Sequence, residues 1–240
     1  MQTWKKAYQL AKFEWRASFA NIFICWFVLT VFGLLFSTSF SGYLETNYAG
    51  FDIAFLLGFS FAPYLLRSNH FQYKKVSDHL YASPTLIMQT QLPIPKDIVA
   101  KSRLIIYLPY LLPFALTIFP ILYIANSSVR DAMDAPAYIV FALIWVFYGL
   151  YMGIMLPASD AGDYVTPKIV VYYSLAAAAI FMGIITLFYL LFGHGIVAWT
   201  IILARDWPVP AIIISIILIF ISWKYWPVHM KKTMKELDYL

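Results

Sequence analysis

The stretch LPIPKDIVAKSR, Leu92 to Arg103, lies between two long apolar runs and decides how the rest of the chain is read. Pro93 and Pro95 bracket Ile94, and a residue that precedes proline is pushed out of the α region, so no helix passes easily through Ile94. Pro95 suits the first position of a new helix. Asp97 then falls in its first turn and Lys101 in its last, where each charge complements the helix dipole. The spacing predicts a short helix over residues 95–101, lying at a membrane surface just before the chain re-enters the bilayer at Leu104. An ordinary loop, with prolines that end one helix and lysines placed by membrane charge rules, fits the same spacing.

Composition sets the class. Of 240 residues, 62% are hydrophobic and 12% charged, and the mean hydropathy is +0.74. A soluble domain of this size could not hide so much apolar surface, so the expectation is an all-α, polytopic membrane protein. The net charge of +5 and pI near 9.1 would point to nucleic acid in a soluble protein. Here loop topology accounts for the excess base, and no nucleic-acid partner is expected. The single cysteine, Cys25, lies inside the first apolar run, which excludes an intrachain disulfide and any CxxC site. The apolar run starts late and is too long for a signal-peptide core, so the N-terminus does not read as a cleavable signal.

Residues 1–18 form a segment of their own. In helical projection Trp4, Ala7, Tyr8, Ala11, Trp15 and Phe19 share one face, with Lys5, Lys12 and Arg16 beside it. That pattern predicts an interfacial amphipathic helix with aromatics toward lipid and basic groups toward anionic headgroups. Six spans are expected after it, at residues 19–40, 51–66, 104–125, 137–157, 169–192 and 209–226, each near the length that a hydrocarbon core of roughly 30 Å requires. The second is short and can borrow Tyr48 to Gly50, and Lys224 near the end of the sixth can snorkel.

With both termini inside, every Lys and Arg except Arg130 and Arg205 falls on the cytoplasmic side. Glu45, Asp52, Asp131, Asp134 and Asp206 fall outside, so the positive-inside rule is met strongly and a bacterial cell membrane is the expected location. Residues 67–103 then make one large inner loop, whose first half, SNHFQYKKVSDHLYASPTL, could prolong the second span as a helix. Gly193-His194-Gly195 breaks the fifth span, and the apolar piece 196–203 is too short to cross. Residues 193–208 are therefore expected to dip into the outer leaflet or to pack on the bundle. No internal repeat or linker divides the chain, which reads as one membrane domain over 1–240.

Absences narrow the chemistry. No span carries an acidic or basic residue in its interior, since Asp52 and Lys224 sit at ends. Ion-driven transporters usually keep a charged relay at membrane depth despite a cost of roughly 2.5–3.5 kcal/mol per charge. The sequence has no HExxH, GxSxG or paired intramembrane glutamates, and its four histidines, His70, His79, His194 and His229, lie far apart, so no catalytic residue and no metal site is expected. Nor is there a GxxxxGK[ST] phosphate loop. Gly149 and Gly153 form a GxxxG pair in the fourth span, and Ala176 to Ala179 with Gly183 make a small-residue face in the fifth, both read first as packing within the subunit. Pro109, Pro113 and Pro120 free carbonyls in the third span, whose lining of a path is the lesser reading.

The organisation resembles the permease subunits of ABC-2 type ATP-binding-cassette exporters. The resemblance rests on the amphipathic N-terminal helix, the six spans, and Leu92, Pro93, Ile94, Ile98, Val99, Ser102 and Arg103 before the third span. It covers the chain in organisation and about a dozen positions in residues. It implies that the helix over 95–101 is a coupling helix seated in a separate ATPase subunit, with Ile98 and Val99 inserted and Lys96, Asp97, Lys101 and Arg103 at the rim. It implies a connecting helix over 4–19, a re-entrant piece over 196–203, ATP and Mg bound by the partner, and a second permease copy. The expected cargo is a hydrophobic or amphiphilic molecule, a peptide before a lipid or drug. Two other classes stand beside this one: a non-transporting membrane sensor or assembly protein, and a lipid-modifying membrane enzyme. For the enzyme, Asp160 and Asp163 are the best candidates, although a solvated inner loop explains them as well.

Overall fold

A backbone surrounded by hydrocarbon has no water to bond, so a chain this apolar must satisfy its own N–H and C=O groups, and helices do so within one segment. The computed structural model describes residues 2–65, 67–77 and 79–237, so Leu66, the expected end of the second span, lies outside the described residues. It is helical almost throughout. In chain order come α1 (Gln2–Ala17), α2 (Phe19–Thr46) and α3 (Ala49–Leu65), then two strands, β1 (Lys74–Lys75) and β2 (Leu80–Ala82). There follow α4 (Pro84–Gln91), α5 (Lys96–Ile106), α6 (Leu108–Ala125), α7 (Ser127–Ala132), α8 (Ala135–Gly153) and α9 (Met155–Ala158). A 3-10 turn (Ser159–Ala161), β3 (Asp163–Tyr164), α10 (Pro167–Phe192), α11 (Ile196–Asp206) and α12 (Pro208–Glu236) complete it.

Among the described residues, five helical stretches are long and apolar enough to cross a membrane: α2, α5 with α6, α8 with α9 and the 3-10 turn, α10, and α12. The chain is a helical, multi-pass membrane protein. The second expected span, α3, is shorter, and its apolar part covers Ala49–Phe61. Helix ends follow local chemistry. Asp134 and Thr166 accept from Ala137 and Ile169 backbone N–H groups at the starts of α8 and α10. Prolines stand in the first turns of α6, α8, α10 and α12. Gly193 ends α10 with φ at 68°, a left-handed conformation that an L side chain resists.

Aromatic rings at helical spacing build the middle of the bundle. Phe51, Phe55 and Phe59 run down one face of α3 and meet Phe36 and Phe40 of α2 and Phe141 and Trp145 of α8, with centroids 4.5–6.4 Å apart. Such pairs add about 0.5–1.5 kcal/mol each beyond the area they bury. Gly149 and Gly153 serve packing inside the subunit: a Cβ on Gly149 would lie 2.8 Å from Leu111, and one on Gly153 would enter the Tyr107 ring. That ring lies over α8 while its hydroxyl donates to the Phe59 carbonyl at 3.2 Å. Pro109 stands in the first turn of α6, and α6 continues as helix through Pro113 and Pro120. Thr117 donates to the Pro113 carbonyl and Tyr138 to that of Phe119.

Three expectations are corrected. The first half of the 67–103 loop does not prolong α3; it folds into β1 and β2, which pair antiparallel with each other and, through β2, with β3. Tyr73 stacks on Tyr81 at 5.9 Å, a cross-strand aromatic pair of the kind that stabilises a hairpin. The N-terminal helix does not turn its whole aromatic face to lipid. Ala7 and Ala11 of that face, with Glu14, are buried against α5, where small side chains permit close approach, while Trp4 and Tyr8 remain exposed. Finally, the helix that begins after Pro95 does not stop at Lys101 but runs to Ile106, with only Tyr107 between it and α6.

The Gly153 contact supplies a test. Gly153→Ala forces a methyl into the Tyr107 ring, and overpacking of this kind costs about 1–3 kcal/mol. A lower thermal midpoint is expected, partly restored by Tyr107→Leu in the same chain; an unchanged midpoint for the single variant would contradict the packing described.

Candidate functional site

The elements at one end of the bundle are α1, the 67–103 loop, the 159–166 segment and the second half of α12. Their charged residues do not all face solvent. Arg67, just past α3, places its Nε 2.7 Å from Glu14 Oε1 and both terminal nitrogens on Asp160, at 3.1 and 2.9 Å. Arg103 of α5 reaches the other oxygen of Glu14 at 3.0 Å and Asp160 Oδ2 at 3.2 Å, and donates to Gln89 of α4 at 2.7 Å. Two guanidinium groups and two carboxylates therefore alternate in a closed ring, neutral in sum. The four side chains are at most 3% exposed.

Local structure delivers each member. Glu14 follows Ala7 and Ala11 on the buried face of α1, so the small residues that let α1 settle on α5 also carry the carboxylate inside. Asp160 is presented by the 3-10 turn, and its carbonyl accepts from Ser83 N at 3.0 Å. Gly162 follows with φ at 95°, and a Cβ there would lie 2.5 Å from the Tyr81 carbonyl, so glycine is required for β3 to reach β2. Burial pulls the Arg67 guanidinium down, but Asp160 and then Glu14 outweigh it, and its pKa is held above the ordinary value. Asp160 is thus no solvated loop residue: the basic partners absent near it in sequence arrive from 93 and 57 positions away. Asp163 stays exposed in β3.

The structure distributes the expected coupling residues over different tasks. Ile98 and Val99 are 4% and 0% exposed and face inward. Val99 packs with Leu86, Ala100, Ala161, Met230 and Met234, and Ile94 lies against this cluster. They are unavailable for insertion into another protein, which corrects that expectation. Arg103 is no rim residue but a member of the ring. Ser102 is buried and donates to the Val99 carbonyl at 2.7 Å. Lys96 donates to the Met234 carbonyl, and Asp97 is bridged by Lys101 and by Lys231, the latter at 3.2 Å. Exposed apolar surface in the loop lies one helix earlier, at Met88 (66%) and Leu92 (54%), with Pro93 and Pro95 also open. Of the interfacial residues, Lys5, Lys12 and Arg16 are exposed, and Trp15 donates its indole N–H to the Ile106 carbonyl at 3.2 Å.

The opposite end has its own buried polar centre. Asp52, in the first turn of α3, accepts from the Tyr43 and Tyr189 hydroxyls at 2.9 and 2.5 Å and from Val197 N at 2.7 Å. A Cβ on Gly195 would collide with Asp52, Tyr43 and Tyr189, so the glycine lets the start of α11 close over the carboxylate. This fastens 196–206 to the bundle, where Trp145 donates to Thr200 at 3.0 Å. The segment packs on the bundle, against α8, as one of the two expected arrangements has it.

Together the fold and its two polar ends define a multi-pass helical membrane protein with a loop cluster locked at one end by buried ion pairs. No protein-family model matches the chain, and no curated protein or solved structure shows detectable similarity to it.

Breaking the ring on one side should be worse than removing a neutral pair. Asp160→Asn leaves two buried guanidinium groups facing one carboxylate, a change of a kind that costs about 3–5 kcal/mol. Expected is severe loss of folded protein by size-exclusion chromatography. Asp160→Asn with Arg103→Met keeps the site neutral and should recover much of that yield. Equal yields from both variants would show that charge balance does not govern the site.

Proposed function

We propose that the protein is the membrane subunit of an ATP-driven exporter, with six spans, both termini in the cytoplasm and hydrolysis on a separate ATP- and Mg-binding chain. The observation that carries this reading is the union of an exposed apolar tip, Met88 and Leu92, with a loop whose next helix is pinned by the buried ion ring. Gln89, one residue from Met88, is bonded to Arg103, and through Arg103 to Glu14 and Asp160. A push on the tip is therefore delivered at once to α1, α5 and the end of the fourth span, as a lever requires. The tip at residues 88–92 replaces Ile98 and Val99 as the surface offered to the ATPase, and α5 becomes the rod behind it. Closure of the ATPase would switch the packed spans between two arrangements. A second copy of the chain would complete the path.

An apolar or amphiphilic cargo, such as a peptide, fits the bundle better than an ion. A cleft of about 390 Å³ between α2, α3 and α6 is lined by Phe32, Phe36, Phe55, Phe59 and Phe114 among other apolar residues. The buried Asp160 is occupied by two arginines, which favours export over lipid chemistry at that carboxylate.

The test is co-purification with the nucleotide-hydrolysing partner. Interface anchors commonly carry about 2 kcal/mol or more, so Met88→Asp with Leu92→Asp should lower ATPase association at least roughly tenfold. The variant should still fold, because both residues are already in solvent. Full association by it, or no ATPase in the purified wild type, would overturn the reading. In the same cells, cysteine probes at Lys75 should label only from inside and probes at Ser128 from outside; the reverse pattern would invert the topology.

A further inference from the structure

A groove of about 640 Å³ opens where α1, α5 and α12 meet, at the end of the bundle that holds the ion ring. Seven of its lining residues belong to α12: Ile216, Ile219, Phe220, Trp223, Lys224, Pro227 and Lys231. Their spacing of three, four and seven puts them on one face, and their chemistry changes along it. The face is aliphatic and aromatic at the start and basic at the end, over about 22 Å of helix. Trp4 of α1 and Asp97, Lys101 and Leu104 of α5 form the other wall. Trp4 and Trp223 lie 5.9 Å apart, Lys101 stands 5.4 Å from the Trp4 ring, and Lys224 stands 5.4 Å from the Phe220 ring. Asp97 engages Lys101 and Lys231, while Lys224 is exposed and makes no ion pair among the described residues. Three lysines against one carboxylate leave two positive charges in excess.

We propose that this groove is a binding site for an anionic phospholipid, with the phosphate between Lys224, Lys231 and Lys101 and an acyl chain along Ile216, Ile219 and Phe220. The gradient selects the occupant. A free phosphate would use the lysines and leave the aliphatic half exposed. A second copy packed along α12 would bury Lys224 without a carboxylate to meet it. A lipid satisfies both halves, with tryptophans at the level where amphipathic rings settle. The bound lipid would join α1 to α12, across the same α5 that carries Arg103, and so stiffen the ion ring from outside. The site does not depend on the export reading.

The experiment titrates short-chain phosphatidylglycerol into the purified full-length protein in uncharged detergent and reads binding by native mass spectrometry. Each lysine near a phosphate at a membrane surface is worth about a fivefold change in affinity, so Lys224→Met with Lys231→Met should weaken binding roughly 25-fold. Lys232→Met with Lys235→Met removes the same charge from the same helix off the groove and should change it less than twofold. If the first pair fails to fold, Lys224→Met alone should still weaken binding about fivefold, since that side chain holds no structural contact beyond a ring. The proposal is overturned if phosphatidylcholine binds as tightly as phosphatidylglycerol. It also fails if glycerol 1-phosphate displaces the lipid at equal concentration, or if the control pair loses as much as the groove pair. Cross-linking between copies through Phe220→Cys in a Cys25→Ser chain would likewise overturn it, by placing a second subunit in the groove.

Discussion

Two arginines and two carboxylates, withdrawn from water and closed into a ring, hold the loop end of this protein together. Each ion taken alone from water would cost several kcal/mol, and only its partners make burial tolerable. Removing a single member therefore leaves an uncompensated buried charge. Glu14, Arg67, Arg103 and Asp160 come from α1, the loop just past α3, α5 and the turn after α9, so its formation brings four distant segments to one point. The β1–β2–β3 sheet and the Ser83 to Asp160 backbone bond then fix the loop over it.

The other end solves a similar problem with different chemistry. Asp52 has hydroxyl and amide donors in place of a cation, and α11 contributes its Val197 N–H to the same carboxylate. Between the two ends lies the aromatic column of α2, α3 and α8, built mainly of phenylalanine rings, with the Trp145 N–H donated to Thr200. The protein is thus pinned by polar bonds at both membrane edges and packed by rings in the middle. That division matches a solvent that is polar outside and apolar within.

Packing is not uniform. The α5–α1 contact, the ring and the α3–α8 column are closely packed, whereas α10 buries only Ile185 along its length and is tied mainly through Tyr189 at its far end. Gly183, on its small-residue face, has open space about it. A closely packed core beside a thinly buried helix that takes no part in the ring is the combination the export reading uses.

The sequence by itself determined what depends on near neighbours. Gly193 ends α10 where the Gly193-His194-Gly195 break was read, and Gly149 with Gly153 marked the close approach of helices. Asn47, which ends α2 in a left-handed conformation, was the boundary that apolar runs left too short at Phe40. The partition of basic residues also sorted the loops into two sets, and the structure brings each set together at its own end. Tertiary structure alone decided which charged residues are solvated and which are not. Glu14 looks like one more polar residue on an amphipathic helix, and Asp160 like part of a polar loop. Their partners lie 53 to 93 positions away in sequence. An ion pair of that span leaves no periodicity and no local spacing behind it. The same reason explains Val99: nothing local shows that its side of α5 is inside, which Leu86 of α4 and Met230 and Met234 of α12 decide.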